Sequence, residues 1–266
     1  MAISQLGLGG GASQGKRIQK IGLQLYTLRK ELEKDFEGTL AKVAAIGFKE
    51  VEFAGYYNRT PEQVKTVLKV NKLSAPSAHT LLAAMKSKDW QKTVDDTRAV
   101  GHKYLVLAYL FPPERQKLDD YKRIIEQINK AAEDCKKAGI QFAYHNHDFE
   151  FETMEGQVPY DLILKETDPK LVKMELDLYW ISKAKQAPEK YFNRYPGRFE
   201  LFHVKDMDNT PKAFFTEVGR GVIDFKRIFQ MKNSGVKHYF VEQDETPGAA
   251  LDSIKISYDY LQKLRF

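Results

Sequence analysis

The sequence predicts an α/β protein built as a single (β/α)8 TIM barrel. Eight short β-rich segments alternate strictly with eight amphipathic helical segments along about 250 residues, which is the element count and length of that fold. No linker or change in composition divides residues 17–266, so one domain is expected there. A doubly wound sheet is the alternative. Such a sheet usually has a glycine-rich phosphate loop after its first strand, and Tyr26-Thr27-Leu28-Arg29 is not one.

The predicted strands are short runs rich in apolar residues, and the predicted helices repeat their apolar residues every three to four positions. The strands are 21–26, 49–53, 73–79, 103–108, 140–147, 171–177, 199–205 and 237–242. The helices are near 35–46, 61–71, 89–100, 116–138, 158–166, 187–195, 224–233 and 247–263. Each strand is followed by one helix, which is the repeating unit of a TIM barrel.

Capping residues mark several of these boundaries. Asp35 is suited to accept the free backbone N–H groups of the first helix. Thr60 followed by Pro61 is a cap followed by a proline at the first helical position. Gly47 and Gly139 end helices just before strands, as glycine often does.

Residues 1–16 are predicted to form a flexible, Gly-rich tail outside the barrel. The run Gly9-Gly10-Gly11 has no side chains with which to pack. The same stretch is compatible with the remnant of an export signal. Both the cytoplasm and the periplasm therefore stay open as locations.

The composition indicates a globular protein and excludes several classes of partner. Hydrophobic residues make up 42% of the chain and aromatic residues 12%. The net charge of +6 is spread over helices and interleaved with acids, without a block of five basic residues, so nucleic acid is not expected to bind. No apolar run approaches the roughly 20 residues of a membrane helix. Cys135 is the only cysteine, so disulfides contribute nothing, and a homo-oligomer is left open.

Potential metal ligands occur where the predicted strands end. They are His79, His145, His147, Asp177, His203 and Glu242. In a TIM barrel the C-terminal ends of all strands meet at one face, where the active site lies. Imidazole and carboxylate groups are ligands of divalent metals. The sequence therefore predicts one divalent metal site at this face. His102 and His238 begin strands and are assigned to the opposite face.

Charged residues inside apolar strands favour the same site. Glu175 and Asp177 share one face of a strand, and a buried carboxylate is costly unless it is paired or bound to a metal. One of them is expected to be a ligand, with a structural salt bridge as the alternative. Lys205 follows His203 by two positions and suits a substrate oxyanion. Trp180 is placed either to pack or to wall the pocket against a sugar face.

Seven segments, in order along the chain, resemble the sugar phosphate isomerase/epimerase superfamily, also called xylose isomerase-like TIM barrels. They are GLQLYTLR at 22–29, GFKEVEF at 47–53, AYHNH at 143–147, LD at 176–177, HVKD at 203–206, VGxGxxD at 218–224 and VE at 241–242. The match covers nearly all of residues 20–263.

The resemblance implies one divalent ion, Mn²⁺, Co²⁺, Mg²⁺ or Zn²⁺, held by His145, Asp177, His203 and Glu242. It also implies a base, Glu242 or an imidazole, that removes the proton next to a sugar carbonyl. His145 stands where the epimerases of the family usually have a glutamate, and Trp180 stands where relatives often have a histidine. The Tyr-His-x-His strand is similar to inosose dehydratase-type members. A lyase or dehydratase acting on a keto-polyol or a 3-keto glycoside is therefore the alternative to an isomerase or epimerase.

The resemblance and the barrel geometry together imply a set of substrate contacts. Lys205, with Glu242 and His145, is expected to be catalytic. The residues expected to bind a small carbohydrate are Tyr26, Glu52, His79, His147, Trp180 and Arg220. Glu150 and Glu152, just beyond the fifth strand, are reserve acid–base candidates.

Two other classes of protein are alternatives to a sugar-converting enzyme. An endonuclease IV-like nuclease needs a cluster of several zinc ions, and Trp180 occupies the place of a further histidine ligand. A non-catalytic sugar-binding barrel is the remaining alternative, and the complete set of four ligands argues against it.

Overall fold

The computed structural model describes residues 15–266, and its strands close into one parallel barrel. The barrel strands are β1 (Ile21–Gln24), β2 (Glu50–Phe53), β3 (Ser74–Thr80), β4 (Tyr104–Leu107), β5 (Gln141–His145), β6 (Val172–Asp177), β7 (Leu201–Val204) and β10 (His238–Val241). Their order around the barrel is β1-β10-β7-β6-β5-β4-β3-β2, and every neighbouring pair is parallel. The predicted TIM barrel is confirmed. The predicted tail at residues 1–16 lies almost entirely outside the described residues.

Eleven α-helices connect the strands within residues 15–266. They are α1 (Arg29–Lys34), α2 (Phe36–Ile46), α3 (Pro61–Val70), α4 (Leu82–Met85), α5 (Trp90–Val100), α6 (Leu118–Lys137), α7 (Pro159–Glu166), α8 (Leu178–Lys183), α9 (Pro188–Arg194), α10 (Phe225–Phe229) and α11 (Ala250–Lys263). A small antiparallel hairpin, β8 (Asp206–Met207) with β9 (Phe215–Thr216), lies in the loop after β7. In this described part of the chain, none of the helices combines the length and apolar character needed to cross a membrane.

Local side-chain chemistry sets several helix ends where the sequence predicted them. Asp35 accepts a hydrogen bond from the backbone N–H of Gly38 at the start of α2. Thr60 and Gln63 form a reciprocal capping box at the start of α3. Gly47 ends α2 with φ of +125°, a conformation that favours glycine, and a Cβ at this position would collide with the ring of Tyr258.

The barrel interior is built of layers, because alternate residues of each strand point inward. One apolar cluster inside the barrel consists of Tyr104, Val106, Ala143, Leu201 and Phe240. Two positions further toward the C-terminal ends of β7 and β10 the inward residues become polar, with His203 and Glu242. Most other buried apolar side chains form a separate core between the strands and the surrounding helices. This apolar cluster therefore fills the barrel interior below the polar residues near the C-terminal ends of the strands.

Candidate active site

A pocket of about 830 Å³ opens at the C-terminal ends of the strands. Residues at or beyond the end of every barrel strand contribute to its lining, namely Tyr26, Ala54, Leu81, Ala108, His147, Trp180, Lys205 and Glu242. Its position agrees with the location of active sites in TIM barrels.

Four side chains gather at the base of this pocket, and we call them the upper quartet: His145, Asp177, His203 and Glu242. His145 and Glu242 line the pocket, and Asp177 and His203 lie behind them. One nitrogen or oxygen atom from each lies within 4.8 Å of the others, and all four residues are buried. His203 Nδ1 is 2.8 Å from Glu242 Oε2 and 3.8 Å from Asp177 Oδ2. His145 Nε2 is 3.4 Å from Asp177 Oδ2. The structure therefore brings together the four residues that the sequence predicted as ligands.

Surrounding backbone groups orient two members of the upper quartet. Asp177 Oδ1 accepts hydrogen bonds from the N–H groups of Tyr179 and Trp180 at the start of α8, both at 2.9 Å, which leaves Oδ2 facing the site. His145 Nδ1 lies 3.0 Å from the carbonyl oxygen of Ala108. A proton on Nδ1 satisfies that carbonyl and leaves the Nε2 lone pair directed at the quartet.

The donor atoms of the upper quartet fit a divalent ion. Two imidazoles and two carboxylates suit Zn²⁺, Mn²⁺ and Co²⁺. Among the described residues, neither His203 Nδ1 nor Glu242 Oε2 has a hydrogen-bond partner in an acceptable direction, although the two atoms are 2.8 Å apart. Such buried atoms are rare unless another group satisfies them.

A buried lysine stands beside the upper quartet. Lys205 is 1% exposed, and its Nζ lies 3.1 Å from Asp177 Oδ2, 2.7 Å from Glu242 Oε2 and 2.8 Å from Asp244 Oδ2. Burial alone would lower the pKa of Lys205, but these three carboxylates raise it well above its ordinary value. The lysine is therefore a fixed cation at the edge of the pocket.

The carboxylates respond to the same charges. Burial alone would raise the pKa values of Asp177 and Glu242, but Lys205 and the neighbouring imidazoles lower both. Burial would lower the pKa of His203, whereas Glu175 and Glu242 raise it well above its ordinary value. The network without metal therefore holds a proton on His203 that a metal ion must displace.

Aromatic rings line one side of the pocket. His147 stacks on Phe149 with ring centroids 5.4 Å apart and contacts the rings of Tyr109 and Trp180 at 4.8 and 5.3 Å. Burial, followed by the neighbouring His145 and Lys205 side chains, lowers the pKa of His147 well below its ordinary value, so this imidazole is neutral. An aromatic wall opposite a charged floor suits the two-sided polarity of a sugar ring.

Most of the other residues predicted to meet the substrate do line the pocket. They are Tyr26, His79, His147, Trp180 and Lys205. Glu152 lines it as well. Glu150 is instead held away from it, because its carboxylate accepts hydrogen bonds from the Tyr144 hydroxyl and the His147 N–H at 2.7 and 2.8 Å.

Two residues predicted to contact the substrate lie outside the pocket. Glu52 is fully buried on β2 beneath the upper quartet, where it contacts Gln24 and His203, so it does not reach the pocket. Arg220 has a side chain that is 57% exposed and pairs with Glu217 Oε2 at 3.3 Å. The reason is that Asp206 accepts hydrogen bonds from the N–H groups on either side of Arg220, and this fixes the loop with the guanidinium outside the pocket.

The sequence reasoning missed Asp244, Arg115 and Phe215, which also line the pocket. Asp244 had a usable signal, because it follows Glu242 by two positions at the end of the last strand. Arg115 and Phe215 lie in loops whose path the strand and helix pattern does not determine.

Comparison with known proteins places this fold and site in a family. The model of the xylose isomerase-like TIM barrel family matches residues 40–263, so the chain belongs to that family. An inosose dehydratase of Lacticaseibacillus casei is 24% identical over 256 residues, which span 82% of this chain and 85% of the relative. A solved sugar phosphate isomerase/epimerase from Parabacteroides distasonis is 29% identical, with a TM-score of 0.79 and 96% of each chain covered. A zinc-bound IolI protein shares the fold at 12% identity, with a TM-score of 0.71, over 91% of this chain and 96% of that one.

The chain is therefore an enzyme of the sugar isomerase, epimerase and lyase superfamily.

Proposed function

We propose that the protein is a divalent-metal-dependent lyase that removes the proton next to the carbonyl of a keto-polyol or 3-keto glycoside and expels the oxygen at the following carbon. The observation that carries this proposal is the upper quartet, two members of which line the 830 Å³ pocket, with the ammonium of Lys205 2.7 Å from the carboxylate of Glu242.

His145, Asp177, His203 and Glu242 would hold the metal. When bound, a divalent ion supplies Lewis-acid polarisation of the substrate carbonyl, which lowers the pKa of the adjacent C–H bond. The choice among Zn²⁺, Mn²⁺, Co²⁺ and Mg²⁺ depends on availability as well as on this ligand set.

Glu242 is the proposed base. It lines the pocket, and Lys205 and His203 lower the pKa of its carboxyl, so it is ionised at neutral pH and ready to accept the C–H proton. The electron pair left by that proton delocalises onto the carbonyl oxygen, and the Lys205 ammonium stabilises the negative charge that develops.

Lys205 is the proposed proton donor to the leaving oxygen. The electron pair returns from the carbonyl oxygen to form the carbon–carbon double bond, the bond to the β-oxygen breaks, and that oxygen takes a proton from the Lys205 ammonium. Glu242 then returns its proton to Lys205 over the 2.7 Å contact, and both groups regain their starting states. Because both groups lie on one side of the site, the elimination is expected to be syn.

The imidazole of His145 favours elimination over epimerisation. An epimerase removes a proton from one face of the substrate and returns one to the other face, so it needs a proton-carrying group on each side. In the upper quartet the second carboxylate, Asp177, has one oxygen engaged by the α8 N–H groups and the other near Lys205. The relatives named inosose dehydratase support the same choice.

An isomerase or epimerase is the second candidate, and the similarity to the Parabacteroides distasonis protein favours it. It shares the first step, removal of the proton by Glu242, and differs in returning a proton instead of expelling an oxygen.

The proposal is tested by metal analysis followed by assays with inososes and 3-keto glucosides. In deuterated water, NMR detects exchange of the α-hydrogen, and ultraviolet absorbance detects the conjugated enone that elimination forms. Glu242→Gln is expected to lower both rates by about 10²–10⁴-fold, because it removes the base.

Glu50→Gln is the matched control, since Glu50 also forms a buried pair with a histidine, His238, but at the opposite end of the barrel. Exchange without enone formation would favour the isomerase or epimerase. Binding of sugars without metal and without exchange would refute the enzyme proposal and leave a sugar-binding barrel.

A further inference from the structure

A second cluster of potential ligands lies directly beneath the upper quartet. We call it the lower quartet: Glu52, His79, Glu175 and His203. One ligand atom from each lies within 4.8 Å of the others. Glu52, Glu175 and His203 are fully buried, and His79 also lines the pocket. His203 is shared, with Nδ1 facing the upper quartet and Nε2 facing the lower one.

Four contacts join the atoms of the lower quartet into a ring in which nitrogen and oxygen alternate. Glu52 Oε2 lies 2.7 Å from His203 Nε2 and 3.2 Å from His79 Nε2. Glu175 Oε2 lies 2.8 Å from His79 Nε2 and 3.1 Å from His203 Nε2. The four contacts average about 2.95 Å, and in a planar ring with sides of this length the centre lies about 2.1 Å from each atom. That is the bond length of Zn²⁺ to imidazole nitrogen and carboxylate oxygen.

Hydrogen bonds account for only two of the four contacts in this ring. Each Nε2 carries at most one proton, and each makes one hydrogen bond to a carboxylate of the quartet, His203 to Glu52 and His79 to Glu175. The other two sides join oxygen and nitrogen atoms without a hydrogen bond. Glu175 Oε1 is also buried without a hydrogen-bond partner among residues 15–266. An ion at the centre would use all four contacts at once.

Neighbouring side chains hold one of the carboxylates toward the centre. Gln24 Nε2 donates to Glu52 Oε2 at 2.7 Å, and the Ser77 hydroxyl donates to Glu52 Oε1. Partners of this kind orient ligands in metal sites. Because His79 lies between the pocket and the lower quartet, rotation of its ring provides a route by which an ion can enter.

We propose that the lower quartet is a second divalent metal site, and that the two nitrogens of His203 bridge it to the upper quartet. A neutral imidazole has one N–H, so both nitrogens can bind ions only as the imidazolate anion. Filling the second site therefore releases one proton from His203 to solvent. This inference does not depend on the reaction catalysed.

The test is the zinc content of the full-length protein, loaded with Zn²⁺ and dialysed at pH 8. We expect about two ions per chain in the wild type and about one in both Glu175→Gln and Asp177→Asn, since each removes a charge from one quartet only. Glu50→Gln is the control, with about two ions expected. Anomalous scattering at the zinc edge of wild-type crystals locates the ions without any substitution.

Each outcome decides the proposal. Two ions at the two quartets support it. One ion that Glu175→Gln removes and Asp177→Asn retains places a metal in the lower quartet alone, which overturns the bridge through His203 and also contradicts the metal placement in the proposed lyase. One ion that only Asp177→Asn removes, with no anomalous peak between Glu52 and Glu175, overturns the proposal and leaves a hydrogen-bonded network below the active site.

If Glu175→Gln does not fold, His79→Gln replaces it, because that side chain also belongs only to the lower quartet. With Cu²⁺ in place of Zn²⁺, electron paramagnetic resonance adds a readout of the bridge. A magnetically coupled pair of ions is expected, and the spectrum of isolated ions in a doubly loaded protein would overturn the bridging role of His203.

Discussion

Replacing Lys205 by methionine is the most informative single perturbation of the site. The Lys205 ammonium contacts the carboxylates of Asp177, Glu242 and Asp244 together, at 3.1, 2.7 and 2.8 Å. Methionine keeps much of the volume of the side chain and removes its charge. The metal-free protein is then left with three neighbouring carboxylates without their common cation.

The expected loss of stability follows from this geometry. Removing one partner of a buried ion pair costs about 3–5 kcal/mol, and Lys205 is 1% exposed. A chain of 266 residues unfolds with an entropy of about 0.56 kcal/mol/K, so the Tm of the metal-free variant should fall by about 5–9 °C. The loss should shrink at pH 5, where the carboxylates, no longer held ionised by Lys205, can take up protons.

Metal binding should change in the opposite direction. The ammonium occupies one side of Asp177 and Glu242, so its removal frees both carboxylates for a divalent ion. Lys205→Met is therefore expected to bind Zn²⁺ more tightly than the wild type and to gain more Tm on adding it. The variant should also retain exchange of the α-hydrogen better than elimination, because Glu242 remains as the base and the proton donor is gone.

The assay is thermal unfolding with and without Zn²⁺, together with the exchange and elimination rates. Lys183→Met is the matched control, because Lys183 is 35% exposed and pairs with Asp148 at 3.7 Å, where about 0–1 kcal/mol is expected. An unchanged Tm in the metal-free Lys205 variant, or weaker Zn²⁺ binding, would refute the reasoning.

Three further predictions follow from other residues. Burial raises the pKa of Glu150 to about 7, so the free energy of unfolding of the wild type should fall by about 3 kcal/mol as pH rises from 4.5 to 7. Urea titrations of Glu150→Gln should not show this fall, and an equal fall in both proteins would contradict the prediction. Trp180→Ala should raise KM for a sugar about tenfold at unchanged kcat, since it removes a pocket wall, and an unchanged KM would argue that Trp180 only packs. Asp206→Asn should lower the free energy of unfolding by about 2–3 kcal/mol. The reason is that Asp206 accepts hydrogen bonds from the backbone N–H groups of Met207, Gly219, Gly221 and Ile223. A loss below about 0.5 kcal/mol would show that other contacts hold the loop.

The strand pattern predicted the fold well because every strand of the barrel is short, apolar and followed by a helix. All eight predicted strands are present, and most are one to three residues shorter than the sequence pattern. The added elements are small: α1, α4 and α8 have four to six residues, and the β8–β9 hairpin pairs only two residues on each side. Segments of this length are determined by contacts with the rest of the barrel and leave little periodic signal.

The candidate site was predictable to the extent that strand ends converge. Asp177 and Glu242 could be placed at one face because the barrel brings the ends of all strands together. The depth of each residue was not predictable in the same way. Glu52 and Glu175 also lie near strand ends, yet they point inward one layer lower, and this depends on the stagger of the strands around the barrel. Arg220 lies outside the pocket for another reason, because hydrogen bonds to Asp206 determine the path of its loop.

His203 belongs to both the upper and the lower quartet, so the carboxylates of the lower quartet influence the chemistry of the pocket. Its Nε2 is 2.7 Å from Glu52, so the lower quartet engages that nitrogen with either a proton or an ion. The orientation of the ring is thereby fixed, and Nδ1 is turned toward Glu242 and Asp177. Glu52 thus acts through His203 and not by touching a sugar. A substitution at Glu52 should accordingly change the metal affinity of the upper quartet while the aromatic wall of the pocket still binds the substrate.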